Sequence, residues 1–123
     1  MTALTVDLLL DALAESPSLH GHATAFNKLC KPLARSLIEP LFSSSSRVPR
    51  PFGPFGSLSL PYVRMGAIDS LDLFGLDELI IFAFYYANRS RYRRALDIGA
   101  NLGLHSMIMA RCGFEVRAFE PDP

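Results

Sequence analysis

The residues best suited to chemistry lie in a glycine loop near the end of the chain. The loop and the residue pair before it read Asp97-Ile98-Gly99-Ala100-Asn101-Leu102-Gly103. Gly99 allows a sharp turn, and Gly103 lets a helix backbone and a ligand approach closely because no Cβ intervenes. Asn101 stands where φ is often positive, and Asn tolerates that conformation. The pattern predicts a ligand site at a strand-to-helix turn.

Two carboxylates flank this loop. Glu120 follows Asp97 by 23 residues, close to the separation of about 20 residues at which nucleotide-binding folds place an acid against ribose hydroxyls. Asp97 is expected to fix the loop through backbone N–H groups or to reach an ammonium group of the ligand. The helix N-terminus after the loop favours a ligand carboxylate. These groups suit an adenosine-containing ligand that also carries an amino-acid end.

A strand, a helix and a second strand must position these groups. Residues 95–98 are short and apolar, as in a buried parallel strand. A helix is expected from Leu104, and Gly113 stands where a C′ glycine ends such a helix. Residues 115–119 form the second strand. This strand-loop-helix-strand pattern predicts an α/β fold that begins a Rossmann-like sheet.

The glycine spacing separates two classes of ligand. Dinucleotide folds use Gly-x-Gly-x-x-Gly to accommodate a pyrophosphate, whereas this loop reads Asp-x-Gly-x-x-x-Gly with two glycines. S-adenosylmethionine (SAM) has no phosphates and does not need that space. The spacing therefore favours SAM, and an NAD-type oxidoreductase is the alternative enzyme.

The same residues resemble a known family. The string from Asp97 to Ser106 is similar to motif I of the FkbM-type class I SAM-dependent methyltransferases, and residues 118–123 look like that family's second-strand ending. The resemblance covers about residues 95–123. It implies a class I methyltransferase sheet and O-methylation of a hydroxyl on a sugar, polyketide or similar metabolite.

The resemblance also implies roles for individual residues. Glu120, followed by Pro121, would hold the ribose, while His105 and Ser106 would either touch the ligand or cap the helix. Glu78 would border the cofactor or serve as a first-turn helix acid. No general base and no metal site are assigned. The residues implied to line the methionine end of SAM are Asp97, Gly99, Ala100, Asn101 and Gly103.

The rest of the chain predicts a helical segment and a short connection before the core. We expect a helical N-terminal cap over 1–46, a Pro/Gly linker over 47–56, short strands and a buried helix over 57–94, and the SAM-binding domain from 95 onward. With only two core strands in 123 residues, that domain is expected to be incomplete, an N-terminal fragment with little activity of its own.

Local patterns predict the elements of that first part. Helices are expected over 3–15 and 23–42, and Pro32 and Pro40 should kink the second or divide it in two. Its apolar series is Phe26, Leu29, Leu33 and Leu37. His20 and His22 are expected on the surface of a loop between the two helices.

Later patterns predict a hairpin and a further helix. Segments 57–60 and 62–67 could pair as a hairpin at the edge of the domain. Asp77 should cap a helix that runs from Glu78 to about Asn88 and is buried between layers. The basic run 89–94 is interpreted as a solvated linker, with a nucleic-acid contact as the alternative.

Composition restricts the partners. Twelve basic and twelve acidic residues cancel, so charge gives no reason to expect nucleic acid or an anionic membrane as a partner. Cys30 and Cys112 are expected to be reduced, and the sequence has no signal-peptide pattern. We expect a cytoplasmic protein that acts on a small molecule or glycan with a hydroxyl. A non-catalytic binding or regulatory module is the third hypothesis, and the sequence gives no oligomeric state.

Overall fold

A computed structural model describes residues 3–15 and 24–121, which form a mixed α/β arrangement. The predicted α/β class is therefore confirmed at this level. The helices of the described residues are α1 (Ala3–Glu15), α2 (Ala25–Phe42), α3 (Leu76–Ala87) and α4 (Leu104–Arg111), with 3-10 turns at Gly53–Phe55 and Ser70–Phe74. The strands are β1 (Arg50–Pro51), β2 (Ser57–Leu58), β3 (Arg64–Met65), β4 (Ile68–Asp69), β5 (Arg94–Ile98) and β6 (Glu115–Phe119).

Helix α1 confirms the first predicted helix. Val6, Leu10 and Leu13 recur at steps of four and three residues and are almost fully buried, so they form its packed face. Leu8 is 61% exposed. The predicted surface loop with His20 and His22 lies outside the described residues.

Helix α2 is one continuous helix, so of the two alternatives, a kink or a division into two helices, the division was wrong. It begins at Thr24, whose hydroxyl accepts the Asn27 N–H at 3.1 Å. Pro32 and Pro40 both lie inside it and are exposed. On an exposed face, water can hydrate the carbonyls that each proline leaves without an intrahelical donor.

The packed face of α2 differs from the predicted apolar series. Phe26, Leu29 and Leu33 are all more than half exposed. The residues buried against the core are Asn27, Ala34, Ile38 and Phe42.

The predicted hairpin between 57–60 and 62–67 was wrong, because each segment pairs with a different neighbour. β2 pairs with β1, antiparallel. β3 pairs with β4 across a two-residue turn that begins at Gly66, whose φ is 67°. A two-residue turn joins strands that are adjacent in sequence, and it forms where a residue such as Gly accepts positive φ. The turn at Gly66 therefore pairs β3 with β4.

An aromatic cluster fills the core next to α2 and α3. Phe52 and Phe55 come from the segment interpreted as a linker, yet both are buried. Phe42 stacks on Phe74 with ring centroids 4.5 Å apart, and Phe52 meets Phe74 edge to face at 5.3 Å. This hydrophobic core extends from α1 to Phe114, which follows α4.

Helix α3 begins two residues earlier than expected. Its N-cap is Gly75, so Asp77 lies within the first turn and the prediction that Asp77 caps it was wrong. Leu79 and Phe82 are fully buried, whereas Ile81 and Phe84 are exposed. The helix is therefore buried on one face and not between two layers.

Strands β5 and β6 pair in parallel and are joined by α4. The register runs from Arg94 opposite Glu115 to Ile98 opposite Phe119. After α4, the Gly113 and Phe114 N–H groups donate to the Ala110 and Met109 carbonyls, which is a Schellman motif at the predicted C′ glycine.

The sheet formed by β5 and β6 is covered on one face. Ala95 and Asp97 are partly buried on the covered side, whereas Leu96 is 66% and Ile98 is 80% exposed. The expectation of a buried strand was wrong for this side, because no element of the described residues packs over it.

Within the described part of the chain, every helix is too short or too polar to span a membrane.

Candidate functional site

The glycine loop is tied to the carboxyl ends of both parallel strands. The Gly99 and Ala100 N–H groups both donate to the Phe119 carbonyl, at 2.7 and 3.1 Å. The Gly103 N–H then donates to the Ala100 carbonyl at 2.8 Å and closes a tight turn. Asn101 has φ of 53°, so the expected left-handed residue is confirmed.

The two loop glycines leave open space beside the backbone. Gly99 has φ of 76° and Gly103 has φ of 81°. A Cβ built on either glycine meets no atom within 4 Å. A ligand can therefore approach the backbone at both positions, as the sequence predicts.

Glu120 is brought to the middle of the loop. Its Oε2 accepts the Asn101 N–H at 2.5 Å, although the two residues are separated by a helix and a strand. The side chain is exposed, and Pro121 beside it is exposed as well. The acid implied to bind ribose and the loop implied to bind the methionine end thus lie side by side.

Asp97 faces the first turn of α4. The Ser106 hydroxyl donates to Asp97 Oδ2 at 2.6 Å, and both residues are half-buried. The bond fastens the end of β5 to the helix that follows the loop. The hydrogen bond shown for the Asp97 carboxylate therefore goes to a helix side chain, where the sequence predicted backbone N–H groups of the loop or a ligand's ammonium group.

Neither His105 nor Ser106 caps α4. The N-cap residue is Gly103, and it makes no side-chain cap hydrogen bond. Ser106 is engaged with Asp97, and His105 is directed toward α3. The capping alternative for these two residues was therefore wrong.

His105 joins two side chains of α3 in a half-buried cluster. Its Nε2 lies 2.6 Å from Glu78 Oε2, and its Nδ1 lies 3.0 Å from the Tyr85 hydroxyl. The Phe82 ring packs edge to face against the imidazole, with centroids 5.0 Å apart. Glu78 thus borders the loop region through His105, whereas Tyr85 had no role in the sequence analysis.

The spacing of Tyr85 places it on the same helix face as Glu78, and this is the signal that the sequence holds for it. It follows Glu78 by two helical turns and Phe82 by three residues, so all three share one helix face. Burial raises the pKa of Tyr85 above its usual value, and the Asp97 and Glu78 carboxylates and Cys112 add to the increase. The phenol therefore keeps its proton at neutral pH.

A cleft lies on the β5–β6 sheet, away from the glycine loop. It has a volume of about 450 Å³ and is lined by Arg94, Ala95, Leu96, Glu115 and Arg117. These residues stand at the amino ends of β5 and β6, opposite the glycine loop. The cleft is therefore separate from the predicted site residues.

Across residues 3–15 and 24–121, no group of three or more His, Cys, Asp or Glu side chains is arranged to hold a metal ion.

Comparisons with protein-family models, with curated proteins and with solved structures find no match to this chain.

Proposed function

We propose that this chain binds SAM at the glycine loop and belongs to a Rossmann-like SAM-dependent methyltransferase that acts on a hydroxyl of a sugar, polyketide or similar metabolite. The observation that carries the proposal is the hydrogen bond from the Asn101 N–H to Glu120. This bond joins the glycine loop to the residues after β6, the two segments that resemble the methyltransferase family. Both segments lie at the carboxyl ends of two parallel strands. Ligands of open α/β sheets bind at that end.

The residues present suit the chemical groups of SAM. The Glu120 carboxylate has acceptor sites for the ribose hydroxyls. The first-turn amides of α4 lack intrahelical partners and favour a carboxylate. Asp97 offers a negative charge for the ammonium group.

The protein's part in catalysis is mainly to position the reactants. SAM, when bound, supplies a methyl group on a sulfonium sulfur. The loop and Glu120 would hold that methyl group at a fixed place, so that an acceptor hydroxyl meets it in a productive orientation. The two-glycine spacing argues against a pyrophosphate at the same place.

Calorimetric titration with S-adenosylhomocysteine and, separately, with NAD tests the proposal. We expect S-adenosylhomocysteine to bind and NAD not to bind. Glu120→Ala should weaken binding about 10- to 100-fold, the usual worth of hydrogen bonds to a charged group. Glu120→Gln should have a smaller effect, because its amide oxygen can still accept from Asn101.

Glu115→Ala is the matched control. Glu115 is an exposed acid at the other end of β6, paired with Arg94 at 3.5 Å. This variant should bind S-adenosylhomocysteine like the parent chain. Tighter binding of NAD, equal effects of the Glu115 and Glu120 variants, or no binding by a chain with a helical circular dichroism spectrum would each refute the proposal.

A further inference from the structure

We infer that Glu78, His105 and Tyr85 form a proton relay in which the Tyr85 hydroxyl contacts the acceptor and takes its proton. This inference rests on the proposed function, which by itself leaves the proton acceptor unassigned. The cluster is the group of titratable side chains next to the loop that the proposed binding of SAM does not use.

The relay is built from two helices that meet beside the loop. Glu78 and Tyr85 lie two turns apart on the same face of α3. His105 lies in the first turn of α4, two residues after Gly103. The imidazole thus connects α3 to the turn that carries the proposed methionine-binding amides.

The two contacts of the ring assign one tautomer to a neutral imidazole at His105. Nε2 is 2.6 Å from a carboxylate oxygen that can only accept, so Nε2 must carry a hydrogen. In the neutral imidazole, Nδ1 is then an acceptor, and the Tyr85 hydroxyl donates to it at 3.0 Å. The phenol oxygen keeps lone pairs for a further donor, such as an acceptor hydroxyl.

The step balances without any additional reagent. The acceptor oxygen forms a bond to the methyl carbon as the carbon–sulfur bond breaks, and that electron pair stays on the sulfur. The acceptor proton passes to the Tyr85 oxygen, and the Tyr85 proton passes to His105 Nδ1. The resulting imidazolium is paired with the Glu78 carboxylate.

The surroundings suit a transient positive charge on the imidazole. Phe82 packs against the ring and limits its exposure. Burial is the largest cause of the raised pKa of Tyr85. The Asp97 carboxylate of β5 and the buried Cys112 thiol after α4 raise that pKa further.

A purely structural role would also explain these contacts, since they join α3 to α4. The two roles differ in one respect. A relay at the reacting centre must sense the charge on the sulfur, whereas a structural clamp need not. S-adenosylhomocysteine has a neutral thioether, and SAM has a sulfonium cation at the same atom.

The test is an NMR measurement of the His105 imidazole nitrogens in the 123-residue chain. Spectra are recorded through a pH series, with saturating S-adenosylhomocysteine and then with saturating SAM. His105→Gln assigns the signals, and His20 and His22 serve as references. We expect the ratio of protonated to neutral His105 to fall about threefold or more with SAM, because like charges repel.

Variants separate the parts of the relay. Tyr85→Phe retains the ring and should shift the Nδ1 signal while leaving the affinity for S-adenosylhomocysteine unchanged. Glu78→Gln removes the negative partner and should lower the protonated fraction of His105 with either ligand.

Three results would overturn the inference. An unchanged His105 ratio with both ligands bound would place the cluster away from the reacting centre. Loss of S-adenosylhomocysteine binding in Tyr85→Phe would make Tyr85 part of the binding site or the fold and not a relay. Failure of both ligands to bind the parent chain would refute the proposed function and this inference together.

Discussion

At the residue scale, the left-handed backbone of the glycine loop restricts which amino acids can stand at 99–103. Asn101 has φ of 53° and donates its N–H to Glu120. A β-branched residue is strongly disfavoured in this conformation, whereas Gly adopts it freely.

We therefore expect Asn101→Val to lower the free energy of unfolding by about 1–2 kcal/mol and Asn101→Gly to change it by a few tenths. Urea unfolding followed by circular dichroism measures both. Equal stabilities for the two variants would show that the positive φ is not imposed by the fold.

Tyr85 permits a second prediction at this scale. Removing a group that takes part in proton transfer usually lowers the rate 100-fold or more. In the methyltransferase to which we propose that this chain belongs, Tyr85→Phe should lower kcat for a hydroxyl acceptor by about that factor and leave the KM for SAM unchanged. Tyr92→Phe is the control, since Tyr92 is exposed, and it should retain the parent kcat.

The individual loop residues could be identified from the sequence, but their partners could not. Glycine and Asn report backbone conformation directly, so the turn at Asn101 was predictable. The contact of His105 with Tyr85 depends on how α3 packs against α4. A helix pattern gives which residues share a face, and it does not give which residue of another helix meets that face.

At the element scale, the burial of a side chain, and not its apolar character alone, decides how much it adds to the free energy of unfolding. Phe52 is fully buried and meets Phe55, Phe74 and Phe82, whereas Phe84 is 54% exposed.

We expect Phe52→Ala to lower the free energy of unfolding by about 3–5 kcal/mol and Phe84→Ala by less than about 1 kcal/mol. Urea denaturation of the two variants makes the comparison. Similar losses for both would contradict the packing described for the 50–58 segment.

The bounds of the elements were easier to predict than their faces. Helices α1 and α3 and strand β6 lie within about two residues of the expected positions, because periodicity and turn residues mark them. For α2 the sequence predicted an apolar face of Phe26, Leu29, Leu33 and Leu37, yet a stripe with Ala34 and Ile38 is buried. Both stripes satisfy helical spacing, and the contacts with the 3-10 turn at Ser70–Phe74 and with α3 select between them.

The hairpin error has a similar origin. Short apolar segments have no intrinsic preference for a partner strand, and the two-residue turn at Gly66 fixes the pairing of β3 with β4.

At the scale of the whole molecule, side chains whose pKa is higher in the folded than in the unfolded protein make the free energy of unfolding depend on pH. Burial raises the pKa of the Cys112 thiol, although Arg89 opposes the increase, and burial raises the pKa of Tyr85. The hydrogen bond to Asp69 raises the pKa of Tyr62. These groups add fully to the free energy of unfolding below the pKa values that they have in the unfolded chain, about 8.5 for a thiol and 10 for a phenol. The added stability is lost as the pH rises through the raised pKa values of the folded protein.

We therefore expect the thermal midpoint to fall as pH rises above about 8.5, with a further fall above about 10. Tyr85→Phe should reduce the second decrease. Melting curves between pH 7 and 11 test this, and a midpoint that stays constant across that range would contradict it.

The overall arrangement was predicted in part. The strand-loop-helix-strand unit could be predicted because its glycines and apolar strands are local signals. The burial of Phe52 and Phe55 could not, because a Pro- and Gly-rich composition suggests a linker even where single aromatic side chains anchor it to the core.

The one-sided cover of the β5–β6 sheet has a consequence for local opening. Leu96, Ile98 and Phe119 add little to the core, so separating these strands exposes less additional apolar surface than separating α1 from α3 does. Amide protons of residues 95–98 and 115–119 should therefore exchange with deuterium sooner than those of α3. A molecule that bridges the glycine loop and Glu120 would slow exchange in these strands first, so the exchange pattern itself reports where a ligand is held.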